Sequence, residues 1–346
     1  MSIRDRKAYV RAVKLISTHP WFRKDYEKLL TIHKTYFNQQ IHEFEYFLPW
    51  HRWFILKYED LLRRVSCRIT VPYWDFTLTA GEPFTGAIWN KTAAGLGGDG
   101  VGPPRLCVKN GQFREGKWFL IRSAGGGCLK RNFLRDEIFP DLIALQQFLS
   151  MFSSADKLKD FELMLRNDFH NNIHFFIGGF GGTMSGLDSA TAPEFFLLHA
   201  MVDKIWADWQ KKSAKHLYPT EFLYQNGKMP GTEYYSRDFL NLSQQPRCTA
   251  VKYTGPDKKM KPLVAMIQKL SARPSVINRI PRRNWAHLRK EVIDIFKLKA
   301  VEQQRLKVLH LLFRPRVALK NNALQGVDRK LGFSVKKVQE MAGSGK

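Results

Sequence analysis

Apolar residues recur at helical spacing in two stretches near the N-terminus, residues 3–31 and 40–66. The first stripe comprises Tyr9, Val10, Val13, Leu15 and Ile16, and the second comprises Phe54, Ile55, Tyr58, Leu61 and Leu62. Recurrence every three or four residues indicates an amphipathic helix with one face toward a core. Pro49 predicts a helix start inside the second stretch, because proline is tolerated in a first turn.

Further along the chain, predicted loops alternate with predicted helices. Residues 67–76 (CRITVPYWDF) are predicted to form a short extended segment, and the glycine- and proline-rich residues 77–128 to form long irregular loops. Helical spacing returns over residues 162–177 and 193–209, separated by glycines at 178–186. The pattern predicts a mainly α fold, a helical bundle core with long loop insertions, in which two groups of helices can face each other.

Six of the ten histidines fall in two clusters in or beside these predicted helices. The first cluster is His33, His42 and His51, and the second is His170, His174 and His199. Copper accepts imidazole in both of its oxidation states, and three imidazoles per ion, used twice, suit a pair of coppers that bind dioxygen between them. His170 and His174 are four residues apart, so a helix places them on one face. This spacing alone is equally typical of two ordinary helix histidines.

The spacing of the first cluster requires a break in the helix. His42 and His51 are nine residues apart, so a straight helix would point them in different directions. We expect the break at residues 48–50, Leu-Pro-Trp. In the second cluster, Asp203 follows His199 by one turn. Its carboxylate is expected to fix the tautomer of His199 or to anchor the helix end, unless it forms an ordinary salt bridge.

The composition favours a large buried core. Hydrophobic residues make up 44% of the chain and aromatic residues 13%, which excludes a chain that is disordered over most of its length. Many of the aromatic residues lie close to the histidines along the sequence. This crowding fits a dry metal pocket, and it fits an ordinary core as well.

The formal net charge is +25, and much of it lies after about residue 250. A field of this sign favours acidic polymers, although a solvated basic tail with no specific partner is the simpler explanation. The sequence contains no motif typical of specific nucleic-acid binding. Residues 301–313 (VEQQRLKVLHLLF) are predicted to form a basic amphipathic helix, and the last residues to be disordered.

The cysteines and sequons bear on the cellular compartment. Cys107 and Cys128 flank a glycine-rich stretch that a disulfide could tie into a loop, and no CxxC pair is present. Sequons at Asn90 and Asn241 suit a secreted or extracellular protein. The first residues show no apolar signal-peptide core, so we expect a cytoplasmic chain or an exported one whose signal is not in this sequence. No apolar run approaches the length of a transmembrane segment.

Four segments resemble a known family. FLPWHRWFILKYE, VPYWDF, HNNIHFFIGG and PEFFLLHAMVDKIWADWQ are similar to the copper-A and copper-B regions of the tyrosinase family. That family comprises tyrosinases and catechol oxidases, and molluscan hemocyanin domains share its site. The resemblance covers roughly residues 3–210. With GGDG at 97–100 and the two cysteines, the chain resembles invertebrate tyrosinase-like proteins.

The resemblance implies a dinuclear copper site with a set of six ligands. It assigns one copper to His33, His42 and His51, and the other to His170, His174 and His199. The position of the first ligand varies in the family, so His19 competes with His33. The implied reaction uses dioxygen as co-substrate and oxidises a phenol or catechol to an o-quinone, with the metals as Lewis acid and template.

Three positions depart from the family pattern near the ligands. Gln40 stands where several members have a cysteine crosslinked to the middle copper-A histidine, so no crosslink is expected. Ala192 replaces the usual aspartate before Pro193, and Leu198 replaces a usual histidine. These changes leave the six implied ligands in place.

The residues implied in proton transfer match the family only in part. Asn171, directly after His170, matches the asparagine of members that hydroxylate monophenols. Arg166 stands at one position where a glutamate is found, and Glu162 lies one turn earlier. We therefore expect Asn171 and Glu162 to be the candidate catalytic residues, and catechol oxidation to exceed monophenol hydroxylation.

These observations predict two regions and a ranked set of functions. Residues 1–250 are expected to form the copper domain and residues 251–346 a basic C-terminal extension, partly helical or disordered. The leading hypothesis is a catechol or phenol oxidase with two copper ions per chain. The alternatives are hemocyanin-like oxygen binding, and a non-catalytic matrix protein whose basic extension binds acidic polymers.

Overall fold

The computed structural model describes residues 1–255, and within them the fold is helical, with no strand and only isolated β-bridges. The helices are α1 (Ile3–Thr18), α2 (Pro20–Tyr36), α3 (Phe47–Val65), α4 (Leu142–Met151), α5 (Leu158–Met164), α6 (Asn172–Gly178), α7 (Phe195–Gln210), α8 (Ala214–Leu217) and α9 (Thr220–Leu223). Helix α3 packs against α1, α2 and α7. The mainly α prediction is therefore confirmed.

The first predicted helix is two helices, broken at His19. This residue is extended (φ −76°, ψ 130°), and its Nδ1 accepts a hydrogen bond from the Trp21 amide at the start of α2. The cause is Pro20, because proline disfavours helical geometry in the residue before it. Polar residues alternate with the buried Tyr26, Leu29 and Leu30 along α2, so one face packs inward.

The second predicted helix begins later than expected. Residues Gln40–His42 form a short 3₁₀ turn, and α3 starts at Phe47. The break therefore lies at residues 43–46, and the expectation of a break at 48–50 was wrong. Pro49 lies in the first turn of α3, where its missing N–H is not needed.

The helix predicted over residues 162–177 is continuous but irregular. Helix α5 leads into a π-helical segment, Leu165–Asn171, which leads into α6. A π segment admits an extra residue into a helical turn, and such segments are frequent at functional sites. Helix α6 ends at Gly179, whose φ of 53° suits glycine. Helix α7 lies close to its predicted range.

The predicted long loops are present, and buried interactions tie them to the helices. A disulfide joins Cys107 to Cys128. The guanidinium of Arg131 pairs with the Glu194 carboxylate at 2.8 Å, and both side chains are at most 1% exposed. Arg131 also donates to the main-chain carbonyl of Gly97 at 2.8 Å. The pair therefore fastens the glycine-rich loop to the start of α7.

The last described residues still contact the helical core. The Tyr253 hydroxyl donates to Asp203 on α7, and the Tyr73 hydroxyl donates to the Thr254 carbonyl at 2.6 Å. Residues 256–346 lie outside the described part of the chain, so the basic extension and its amphipathic helix at 301–313 remain predictions. No helix in residues 1–255 is long and apolar enough to cross a bilayer.

Candidate metal centre

The fold brings the six clustered histidines together as two triads. His33, His42 and His51 form triad A, and His170, His174 and His199 form triad B. Within each triad, one ring nitrogen from every histidine lies within 4.8 Å of the others. All six side chains are buried, none more than 4% exposed.

Triad A is assembled from α2, the 3₁₀ turn and the first turns of α3. The Nδ1 atoms of His42 and His51 lie 3.1 Å and 2.8 Å from the carbonyls of Phe37 and Phe47. A carbonyl can only accept, so each Nδ1 carries the proton and each Nε2 keeps its lone pair. Three buried ring nitrogens of triad A have no hydrogen-bond partner in the described part of the chain: both nitrogens of His33 and the Nε2 of His51. Buried polar atoms rarely stay unpaired, so these nitrogens indicate a missing ligand.

Triad B combines the end of the π-helical segment with α6 and α7. The Nε2 of His199 lies 3.2 Å from that of His170 and 3.1 Å from that of His174. Three ring nitrogens that converge in this way could hold one metal ion. The Nδ1 of His174 donates to the Met184 carbonyl at 2.9 Å, which again directs Nε2 to the centre.

The two triads face each other across the interface between α3 and α7. The rings of His51 and His199 stack with centroids 4.5 Å apart, and those of His42 and His170 are 6.2 Å apart. Phe195 stacks on His199 at 3.9 Å and meets His33 edge-on at 5.0 Å. Two ions held here would be neighbours within one aromatic-walled pocket.

Burial keeps the imidazoles in the form that binds metals. Desolvation lowers the pKa of all six rings, and it lowers the pKa of His51 and His174 to about 3. The rings are therefore neutral near pH 7, and a neutral imidazole is the copper ligand. The geometry, the unpaired nitrogens and the all-imidazole donor set together fit two copper ions.

Asn171 lies at the site, where it contacts a ligand ring directly. Its Oδ1 lies 2.8 Å from the Nδ1 of His170, and the side chain is 3% exposed. An amide oxygen accepts, so Asn171 holds the proton on Nδ1 and leaves Nε2 of His170 to the centre. The proton-transfer role expected from the sequence remains a prediction.

Glu162 is paired with Arg166 one turn further along the helix. The Nε of Arg166 lies 2.6 Å from Glu162 Oε1, and Glu162 is fully buried. Burial raises the pKa of Glu162, and the positive charge of Arg166 opposes that rise. The second carboxylate oxygen has no hydrogen-bond partner within residues 1–255.

Two other candidates from the sequence lie elsewhere. His19 is exposed at the junction of α1 and α2 and is not part of either triad. Asp203 binds Arg52 at 2.6 Å, while the Nδ1 of His199 has no hydrogen-bond partner in the described residues. The tautomer role expected for Asp203 was therefore wrong, and the salt-bridge alternative is confirmed.

Several contacts of the site left no signal in the sequence. The carbonyls of Phe37, Phe47 and Met184 orient ligand rings, and every residue has a carbonyl, so spacing cannot single these out. Phe195 belongs to an aromatic cluster that the sequence shows, although its stacking on His199 is visible only in the fold. In the sequence, Arg52 next to His51 cannot be distinguished from an arginine on a helix surface. Its buried ion pair with Asp203 is visible only in the fold.

The chain was compared with known proteins. A family profile described as the common central domain of tyrosinase matches residues 23–212. A tyrosinase of Streptomyces antibioticus is 31% identical over 183 residues, which cover 50% of this chain and 65% of that protein. A tyrosinase-like protein of Pinctada maxima is 26% identical over 283 residues, which cover 71% of this chain and 60% of that protein. The chain therefore spans somewhat under two thirds of the length of these relatives.

A solved structure shares the fold. A mutant polyphenol oxidase from Thermothelomyces thermophila aligns with a TM-score of 0.54 at 20% identity, covering 73% of this chain and 87% of that one. The profile match spans both triads, from α2 to the residues just beyond α7. Because the profile covers more than half of the sequence and both triads, the chain belongs to the tyrosinase family.

Proposed function

We propose that this protein is a dinuclear copper oxidoreductase that oxidises catechols to o-quinones with dioxygen. The observation that supports the proposal best is the pair of buried, facing triads of neutral imidazoles. When bound, the two coppers would bind dioxygen and pass electrons to it. Two catechols would each give up two electrons and two protons, and one dioxygen would leave as two waters.

The protein's own groups would hold and shield this centre. His33, His42 and His51 would hold one ion, and His170, His174 and His199 the other. The carbonyls behind His42, His51 and His174 fix the ring tautomers before a metal arrives, so little reorganisation is needed on binding. Phe195 and the neighbouring aromatic rings exclude water from the space between the triads.

The surroundings of Glu162 favour catechols over monophenols as substrates. A monophenol, with an ordinary pKa near 10, needs a base to remove its proton. Glu162 is the nearest candidate by sequence, but Arg166 occupies one carboxylate oxygen and Asn171 is engaged with His170. A catechol is more acidic and is less dependent on such a base. We infer that catechol oxidation clearly exceeds monophenol hydroxylation.

The copper assignment is tested by His51→Ala and His199→Ala. Each variant should retain about one copper per chain instead of two and lose oxidase activity, measured by metal analysis and by the rate of dopamine oxidation. His19→Ala is the matched control, because it removes an exposed histidine outside both triads, and it should keep both coppers and full activity. Two coppers and undiminished activity in His199→Ala would contradict the assignment.

The substrate preference is tested by comparing tyramine and dopamine as substrates of the parent and Arg166→Glu. The substitution removes the cation that occupies Glu162 and adds a second carboxylate, so the ratio of tyramine to dopamine turnover should rise. Equal rates on the two substrates in the parent would refute the preference. Two bound coppers with reversible oxygen uptake and no dopamine turnover would contradict the oxidase proposal and favour oxygen binding.

We also propose that the protein is exported and that the basic residues after position 250 bind acidic polymers. The Cys107–Cys128 disulfide supports export, because disulfides persist in oxidising compartments. Mass mapping of natively produced protein should find these two cysteines joined. Finding both thiols free would count against export.

A further inference from the structure

A half-enclosed cavity lies on the side of α7 that faces away from the histidines. It has a volume of about 220 Å³, and α1, the 72–96 loops and Leu197 line it. Its wall is mainly apolar and includes Val10, Trp74 and Leu96. None of the six clustered histidines lines it, so it is separate from the candidate metal centre.

Two opposite charges line this apolar cavity without neutralising each other. Arg6 and Asp75 both contribute to its wall. No ion pair within 4.0 Å joins them to each other or to another residue in the described part of the chain. The Nε of Arg6 is buried without a hydrogen-bond partner there, and Asp75 accepts from the Thr77 hydroxyl at 2.6 Å.

Placing a charged side chain against an apolar wall raises the free energy of the protein unless an opposite charge or a hydrogen bond compensates it. Charged side chains that are removed from water are nearly always paired, since desolvation disfavours the isolated ion. Arg6 and Asp75 are half-buried beside an apolar wall, so a ligand that carries both a carboxylate and an ammonium would satisfy both. An apolar group on the same ligand would contact Val10, Trp74 and Leu96.

We propose that this cavity binds a free α-amino acid with an apolar side chain. The carboxylate would pair with Arg6, the ammonium with Asp75, and the side chain would pack against Trp74. The volume is below the roughly 300 Å³ at which drug-sized pockets begin, which suits a molecule of this size. The proposal does not depend on copper or on oxidase activity.

The cavity is connected to the helix that carries His199. The Trp74 amide donates to the Leu197 carbonyl at 3.0 Å, and Leu197 lies two residues before His199 on α7. A bound amino acid would therefore contact the back of this helix without reaching the metal centre.

The test uses L-phenylalanine and the full chain after removal of its metals by a chelator. L-Phenylalanine has both charges and an apolar ring but no phenol hydroxyl, so oxidation at the metal centre cannot account for its binding. Titration calorimetry should show one site per chain. 3-Phenylpropionate lacks the ammonium and phenethylamine lacks the carboxylate, and each should bind at least about tenfold more weakly.

The variants locate the site. Arg6→Gln and Asp75→Asn should each weaken L-phenylalanine binding by about tenfold or more while leaving the thermal melting curve unchanged. Arg4→Gln, on the same helix, and Asp136→Asn are the matched controls, since both residues are exposed, and neither should alter binding. The proposal is overturned if L-phenylalanine fails to bind at millimolar concentration, or binds equally well to the parent and to both cavity variants.

Discussion

An imidazole can offer one nitrogen to a metal only if the proton stays on the other. At the scale of single residues, main-chain carbonyls meet this condition for three of the six ligand rings, and a side chain meets it for a fourth. Asn171 is the exception, since its Oδ1 faces the Nδ1 of His170 at 2.8 Å. Partners of this kind typically change metal affinity or activity by 10–100-fold when they are removed.

Replacing Asn171 with alanine should therefore weaken one copper site selectively. We expect Asn171→Ala to lose copper from triad B about 10–100-fold more readily, because His170 would no longer be fixed in the ligand tautomer. Chelator competition, followed by metal analysis, measures this. Asn172→Ala is the control. Asn172 is only half-buried, and no contact between its side chain and a triad histidine is seen in the described residues. Equal copper retention in the two variants would contradict the role of Asn171.

The two histidine clusters of the sequence coincide with the two triads of the fold, whereas the hydrogen-bond partners of the histidines did not follow from spacing. Residues four apart on one helix, such as His170 and His174, share a face in any straight helix, so the pairing follows from local geometry. Asp203 instead binds Arg52, which is 151 positions away in the sequence. No local pattern predicts such a contact, because it depends on how α3 and α7 pack.

At the scale of helices, the two that carry His51 and His199 are joined by a buried polar cluster. Arg52 on α3 binds Asp203 on α7 at 2.6 Å, and its guanidinium lies 3.7 Å from the ring centroid of Trp206. Arg52 also donates to the Leu240 carbonyl at 2.9 Å. Removing one member of a buried pair leaves the other charge uncompensated, which commonly costs 3–5 kcal/mol.

Asp203→Ala should lower the free energy of unfolding by about 3–5 kcal/mol, because it strands the Arg52 charge in the core. Urea denaturation of the metal-free protein measures this. Asp208→Ala on the same helix is the control. Its ion pairs with Lys204 and Lys211 lie near the surface, so the loss should be at most about 1 kcal/mol. Similar losses of unfolding free energy in the two variants would show that the buried Arg52–Asp203 pair stabilises the fold no more than a surface pair.

Helix boundaries were predictable only where a residue dictates them. The break before Pro20 follows from the geometry of any residue that precedes proline. Pro49 marks the start of α3 to within two residues, whereas no single residue marks the π-helical segment. The periodic pattern therefore predicted the helices that carry the histidines, but it missed α4 and did not show where the irregular turns lie.

At the scale of the whole molecule, one covalent link ties the long loop region together. The Cys107–Cys128 disulfide closes a loop of 21 residues. On the chain-entropy estimate, a loop of this size contributes roughly 3 kcal/mol by restricting the unfolded chain.

The Cys107→Ser/Cys128→Ser variant should lose roughly 3 kcal/mol of unfolding free energy, measured by denaturant unfolding without reductant. The Cys67→Ser/Cys248→Ser variant removes two exposed free thiols and should be unchanged.

The metal-free protein should lose stability as the medium becomes acidic. Burial lowers the pKa of His51 and His174 from 6.5 to about 3 in the folded state. The unfolded chain then binds more protons between these values, so stability is full above pH 6.5 and falls as the pH drops toward 3. Bound copper competes with protons for the same nitrogens and should lessen the fall. Melting temperatures of both forms from pH 7 to pH 4 test this, and parallel curves would contradict it.

The π-helical segment Leu165–Asn171 also affects how this protein is aligned with its relatives. A π turn absorbs one additional residue, so the segment is a place where a single insertion or deletion leaves both flanking helices in phase. Measured against a helix that lacks such a turn, counting back from His170 without a gap misplaces any acidic residue upstream by one position. Glu162 lies upstream of this segment, so it lines up with a residue of a helix without the π turn only when one residue is left unpaired here.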